Sequence, residues 1–189
     1  MTLADRDRWD RKYSAGNPNP AFAPEPILAA QAQLLDGRGI ALDVACGVGH
    51  NALFLARRGY EVVAVDGSPV GLRYAREALA GTNLRVRLVA ADLDRFLPPQ
   101  DYFSLVVVIR FLSRPLIPRL KRALVPGGLV IYQTFNRNRL AAHPAFHEEY
   151  LLQPGELARR FADFECIATN DAPGLGDEQT YWIGRRPGL

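Results

Sequence analysis

Cysteine is scarce: Cys46 and Cys166 are the only two in 189 residues. Two are too few for a disulfide framework and they stand in no metal-ligand spacing, so both are expected to be reduced and no metal is expected. Long apolar runs are also missing. The most continuous one, Leu105–Ile109 inside Phe103–Ile109, has the size of a strand and falls far short of the roughly 18 residues that span a bilayer. Met1–Asp10 is densely charged and has no apolar signal core, which makes the cytoplasm the expected location. Runs of one charge sign are absent too. The net charge is +3 with a pI near 9.1, but the basic residues are dispersed, several as pairs (Arg57-Arg58, Lys121-Arg122, Arg159-Arg160) near expected helix ends. There they complement the macrodipole and face solvent, so neither nucleic acid nor membrane is an expected partner. A hydrophobic share of 48% and a charged share of 23% are ordinary for a globular chain, and the length fits one domain over 1–189.

What is present is organised around Ile40–Asn51. Ile40, Ala41, Leu42 and Val44 form an apolar strand, Ala45-Cys-Gly-Val-Gly49 a turn of small residues, and Asn51–Ala56 the start of an amphipathic helix. Gly47 and Gly49 let main-chain N–H groups lie at the helix mouth with no Cβ in the way, which suits a nucleotide-like ligand. A second apolar run, Tyr60–Asp66, ends in a carboxylate. An acid at that strand tip suits a ribose diol, because two hydroxyls can share its two oxygens.

The remaining chain supplies an alternating pattern. Ala4–Tyr13 reads as a short polar helix carrying Trp9 and Tyr13, and the proline-bearing stretch Ser14–Pro26 as a linker or flap. Residues 1–26 thus read as an N-terminal segment, either a helix anchored on the body or a lid, ahead of a core over 27–189. Ile27–Leu35 reads as a helix with Ile27, Ala30 and Leu34 on one face. Ser68 caps a helix with Pro69 at its first position. Strands follow at Arg85–Val89, Phe103–Ile109 and Leu129–Gln133, with a helix bearing Ile117, Leu120 and Leu124 between the last two. Val125-Pro-Gly-Gly128 fits a type II turn. Thr134–Gln153 reads as irregular. A short helix over Gly155–Phe161 leads to two strands, Phe164–Thr169 and Gln179–Gly184, joined by a loop without a helix. The fold class is therefore α/β: a doubly wound, mostly parallel, seven-stranded Rossmann-like sheet with a C-terminal antiparallel hairpin. Ligands of such sheets bind beyond the carboxyl ends of the strands, and Ala45–Gly49, Asp66, Asp92 and Arg110 all fall there.

With these residues in view, the chain resembles a class I S-adenosylmethionine-dependent methyltransferase. Leu42–Ala52 is similar to the family's first motif, Val63–Pro69 to its ribose-binding segment, Ala91-Asp92-Leu93 to its adenine-side motif, and Pro126-Gly-Gly128 to the turn before its fifth strand. Within the family, Asp43–Gly59 together with Trp9-Asp-x-x-Tyr13 most resembles the tellurite-resistance and thiopurine methyltransferase-like group. The resemblance implies S-adenosylmethionine as cofactor, held by Asp43, Ala45, Cys46, Gly47, Gly49, Asn51, Asp66, Gly67, Ser68, Ala91, Asp92, Leu93 and Arg110. It implies a small-molecule methyl acceptor, such as a thiol or a tellurium or selenium oxyanion; displacement at the sulfonium carbon requires no metal, and a soft nucleophile of this kind would need no general base. Placement alone suggests Trp9, Tyr13, Phe111, Phe135, Arg137, Arg139, His143 and Tyr150 for that acceptor. Ala45 stands where glycine is frequent, and its methyl fits the turn if φ is negative. Asp43 lies inside an apolar strand, where an ionised carboxylate is costly unless bonded or paired. Cys46 reads as a packing residue, since no base adjoins it.

Two other classes remain open at this point. Gly47-Val-Gly-His-Asn-Ala52 also satisfies the G-x-G-x-x-A pattern of an NAD(P)-dependent Rossmann oxidoreductase. However, Lys12 and Lys121 are the only lysines, and neither follows a tyrosine by four residues. A protein that binds S-adenosylmethionine without turnover has the same sequence features. Neither the catalytic residues nor the oligomeric state follow from the sequence.

Overall fold

The computed structural model describes residues 3–16, 23–171 and 177–188. The chain divides into two compact units, residues 1–97 and 98–189. The first contains α1 (Leu3–Ala15), α2 (Pro26–Ala30), a 3-10 turn (Ala32–Leu34), β1 (Ile40–Val44), α3 (His50–Arg57), β2 (Glu61–Asp66), α4 (Pro69–Leu79) and β3 (Val86–Ala90). β1 pairs with β2 and β2 with β3, both in parallel, with Asp43 opposite Ala64 and Asp66 opposite Ala90. Parallel neighbours need a crossover, and α3 and α4 provide one each. α3 buries Ala52, Leu53, Leu55 and Ala56. α4 begins as its sequence predicts, with Pro69 in the first turn and the Ser68 hydroxyl accepting from Gly71 N–H at 3.0 Å.

The second unit contains β4 (Phe103–Ile109), α5 (Ile117–Ala123), β5 (Leu124–Phe135), α6 (Arg139–Ala142), a 3-10 turn (Glu148–Tyr150), α7 (Glu156–Arg160), β6 (Glu165–Thr169) and β7 (Gln179–Arg185). β4 and β5 are parallel, while β5–β7 and β6–β7 are antiparallel. The seven strands run in the order β3-β2-β1-β4-β5-β7-β6, the mixed sheet with an antiparallel finish that the sequence predicts. Trp182 on β7 stacks on Phe161, ring centroids 4.7 Å apart. Its indole lies over Gly184, where an added Cβ would sit 2.0 Å from the ring. No helix among the described residues is long and apolar enough to cross a membrane.

Three local expectations are corrected. The helix over Ile27–Leu35 ends at Ala30 and resumes only as a 3-10 turn. Nine residues hold no stable helix on propensity alone, and the buried anchors are Leu28 and Leu35, not Ile27, Ala30 and Leu34. Leu124 does not extend the face of α5; its backbone is extended and it opens β5 opposite Phe103. Pro126 disfavours a helical conformation just before it, so the helix stops short. Thr134–Gln153 is more ordered than expected: β5 runs on to Phe135, α6 follows, and Asn136 bridges Leu152. The linker over Ser14–Pro26 and the loop over Asp171–Glu178 lie partly outside the described residues, at 17–22 and 172–176.

Candidate cofactor site

β1 ends in a turn whose backbone is left-handed at three positions: Ala45 (φ 57°), Gly47 (φ 54°) and Gly49 (φ 85°). The negative φ expected for Ala45 is therefore wrong. A methyl is tolerated there at a cost of about 1–2 kcal/mol, and the turn is fixed by other bonds. Cys46 N–H donates to Val65 O at 3.1 Å and Gly49 N–H to Cys46 O at 2.9 Å. Arg110, the residue after β4, is likewise left-handed (φ 58°), its N–H donating to Gln133 O at 2.8 Å. Strained non-glycine backbone of this kind clusters at functional sites.

Beneath the turn lie two buried carboxylates with different partners. Asp66, 6% exposed, receives Gly47 N–H on Oδ2 and Ser68 N–H on Oδ1, each at 2.7 Å. Burial raises its pKa, while the Ser68, Gly47 and Gly67 N–H groups pull the other way. Asp43, 1% exposed, has an N–H from Ala52 but no hydrogen-bond partner for Oδ2. Burial, and then the charge on Asp66, raise its pKa to about 8. Both acids are thus pushed toward the neutral form, Asp43 so far that it holds a proton at neutral pH. The Cys46 thiol is also pushed up, by burial and then by the same two acids, so it is a neutral packing group.

The N-terminal helix completes this site. A Cβ placed on Gly47 would lie 2.5 Å from the Tyr13 hydroxyl oxygen, so the phenol rests directly on the turn. Burial, and then Asp66, hold the Tyr13 hydroxyl protonated. Trp9 stacks on Tyr13 at 5.7 Å, and Lys12 Nζ lies 4.3 Å from the centre of the Trp9 ring. Tyr13 therefore stands against the residues expected for the cofactor, although it was grouped with those for the acceptor. Asp10, not singled out in the sequence, accepts from the Ser68 hydroxyl. Its signal was present: Asp10 and Tyr13 are three apart and share one helix face.

Other residues of the first unit that were expected to hold the cofactor lie nearby. Ala91 N–H donates to Asp66 O at 3.0 Å, which sets Ala91-Asp92-Leu93 beside the end of β2. Asp92 is exposed and accepts from Asp94 N–H at 3.0 Å, and Leu93 is fully buried. Asn51 Oδ1 accepts from Glu25 N–H at 2.9 Å, tying the start of α3 to the segment before α2.

In the second unit the structure joins some of the residues suggested for the acceptor and separates others. The Arg139 guanidinium lies 4.0 Å from the Phe135 ring centre and 5.1 Å from that of Phe146, and Nη1 bonds Glu178 at 2.6 Å. Arg137 pairs with Glu148 at 3.2 Å, so both arginines already face a carboxylate. Tyr150 stands edge-on to His147 at 6.1 Å, His143 is exposed, and Phe111 is half-buried just after β4.

A doubly wound sheet, a left-handed small-residue turn after β1 and an acid closing β2 define a nucleotide-type cofactor protein. The pattern described as "Methyltransferase domain" matches residues 41–128. A ubiquinone biosynthesis O-methyltransferase of Methylocella silvestris is 30% identical over 187 residues, covering 88% of this chain and 70% of the relative. Hemagglutinin 1 of Eikenella corrodens is 33% identical over 142 residues, covering 71% of this chain and 46% of the relative. The crystal structure of TehB from Haemophilus influenzae has a TM-score of 0.74 and 18% identity, covering 96% of this chain and 66% of that one, a likeness of fold. The chain belongs to the S-adenosylmethionine-dependent methyltransferase family. It spans about half the length of several curated relatives, 46% for the Eikenella protein and 51% for an O-methyltransferase of Alkalilimnicola ehrlichii.

Proposed function

We propose that this chain, acting as one methyltransferase domain in the cytoplasm, transfers a methyl group from S-adenosylmethionine to a small-molecule acceptor. The observation that carries this reading is the buried acid pair beneath the left-handed turn. Asp66 keeps acceptor capacity beyond its main-chain bonds, and Asp43 Oδ2 is a buried oxygen still without a partner. These acids suit a ligand that brings hydroxyls and positive charge. Ala45–Asn51, Asp66–Ser68 and Ala91–Leu93 would hold the cofactor. The cofactor supplies a methyl already activated by the sulfonium charge. What remains for the protein is to orient the acceptor and exclude water, so no general base is called for with a soft nucleophile.

For the acceptor, Phe135 and Phe146 stand around Arg139, whose charge is met by Glu178, and offer apolar walls. This favours a small apolar or aromatic molecule; thiols and tellurium or selenium oxyanions are candidates from the resemblance to the tellurite-resistance and thiopurine methyltransferase-like group. Thermal-shift measurements test the cofactor: S-adenosylhomocysteine at about 100 times its dissociation constant should stabilise the protein by roughly 2.7 kcal/mol, and NADH should not. Stabilisation by NADH alone sinks the reading in favour of an oxidoreductase. S-adenosylhomocysteine formation on a panel of thiols, tellurite and selenite separates an enzyme from a binder.

The acid itself is tested by substitution. Asp66→Ala is expected to weaken S-adenosylhomocysteine binding at least tenfold, because it removes the proposed hydroxyl acceptor and also frees the Gly47 N–H from its anchor. Titration calorimetry reads the change; an unaltered dissociation constant would show that the ribose contact is misplaced.

A further inference from the structure

The first turn of α4 contains Gly71, although glycine is among the poorest residues for a helix. A Cβ there would stand 3.1 Å from both Gly47 O and the Tyr13 ring. Gly47 in the turn and Gly71 in the helix are therefore the two bare walls of one slot, and Tyr13 fills it. The helix that delivers Tyr13 is polar along most of its length, and an isolated helix of 13 residues is marginal in water. Its docking depends on a few side chains: Tyr13 in the slot, Trp9 stacked on Tyr13, and Asp10 at the start of α4. There Asp10 Oδ1 accepts from the Ser68 hydroxyl and lies 3.5 Å from Val70 N, at the positive end of the α4 dipole. Ser68 in turn donates its own N–H to Asp66, which holds Gly47. A single chain of hydrogen bonds runs from α1 through Ser68 and Asp66 to the turn.

We propose that Asp10 is a positioning residue that docks α1 over the glycine turn, so that Tyr13 walls the bound cofactor and sets how long it stays. The inference rests on the methyltransferase reading above and on the same site. With Asp10 removed, α1 loses its bond to the start of α4, Tyr13 leaves the slot more often, and the cofactor escapes more readily. The acid pair and the turn stay in place, since Asp10 bonds neither Asp43 nor Gly47.

Asp10→Ala tests this in the full chain, with two readouts. Without ligand, hydrogen exchange of the α1 amides should become at least tenfold faster, while exchange in β1 and β2 is unchanged. With ligand, S-adenosylhomocysteine should dissociate at least fivefold faster in stopped flow, and its affinity should fall by the same factor. Asp10→Glu should restore part of both effects, since it returns an acceptor for the Ser68 hydroxyl. Unchanged α1 exchange and unchanged dissociation overturn the proposal. Tighter binding also overturns it, because α1 would then block the site instead of covering it. Failure of the unsubstituted protein to bind S-adenosylhomocysteine at all would overturn the methyltransferase reading, and this inference with it.

Discussion

Asp43→Asn is expected to gain stability on the parent protein by about 1.4 kcal/mol for each pH unit between about pH 4 and pH 8, and nothing further above that. The sign follows from where the proton sits. Asp43 ionises near 8 in the folded chain against 3.8 ordinarily. Between those values the native state holds a proton that the unfolded chain has released, so the parent loses stability as pH rises through that window. Asparagine keeps the shape and has no proton to lose. Urea unfolding at pH 5, 7 and 9 reads the difference, which should widen by about 2.7 kcal/mol from pH 5 to pH 7, two units at about 1.36 each. A constant difference across all three would mean that Asp43 is already ionised at pH 5. Added S-adenosylhomocysteine bears on the same group: if the cofactor places positive charge near Oδ2, the window moves to lower pH.

The acids of the site were legible in the sequence because each interrupts or ends an apolar run. Asp43 sits between Leu42 and Val44, and Asp66 closes Val62–Val65; neither is an accident of a solvated face. The mixed sheet was legible for the same reason, since apolar runs mostly alternating with helices imply parallel neighbours, and a final pair joined without a helix implies an antiparallel finish. What the sequence hid was geometry carried by backbone and by distant partners. Ala45 looked compatible with a negative φ because side chains prefer one, yet the bonds of Cys46 and Gly49 impose the left-handed form. The role of Asp10 depends on its 58-residue link to Ser68, and that of Gly71 on Tyr13 lying against it, neither of which local sequence carries. The arginines 137 and 139 were read as free to meet an anion, and each is engaged by a glutamate that lies 11 or 39 residues further on (148 − 137 and 178 − 139).

Glu156→Ala is expected to destabilise the second unit by about 3 kcal/mol, the cost of breaking a buried ion pair from one side. The Glu156 carboxylate is 6% exposed and takes four donors: Arg114 Nε at 2.8 Å and Nη2 at 2.9 Å, Arg160 Nε at 2.8 Å and Gln153 N–H at 3.1 Å. Arg114 also donates to the carbonyls of Glu149 and Leu151, at 2.6 and 3.0 Å, so the pair pins the segment leading into α7. Burial alone would raise the pKa of Glu156; the Arg114, Gln153 and Arg160 bonds outweigh it and bring it to about 2 from the ordinary 4.5. Its stabilising contribution is therefore complete above pH 4.5 and disappears as pH falls toward 2. The stability gap between parent and Glu156→Ala should accordingly be widest at neutral pH and shrink steadily below pH 4.5. Glu156→Gln keeps the length and one acceptor, and should lose less than alanine at pH 7 while showing no such decline. A gap of the same size at pH 7 and pH 3 would mean that the carboxylate contributes by packing, and that its charge, paired with two arginines, adds nothing to holding α7.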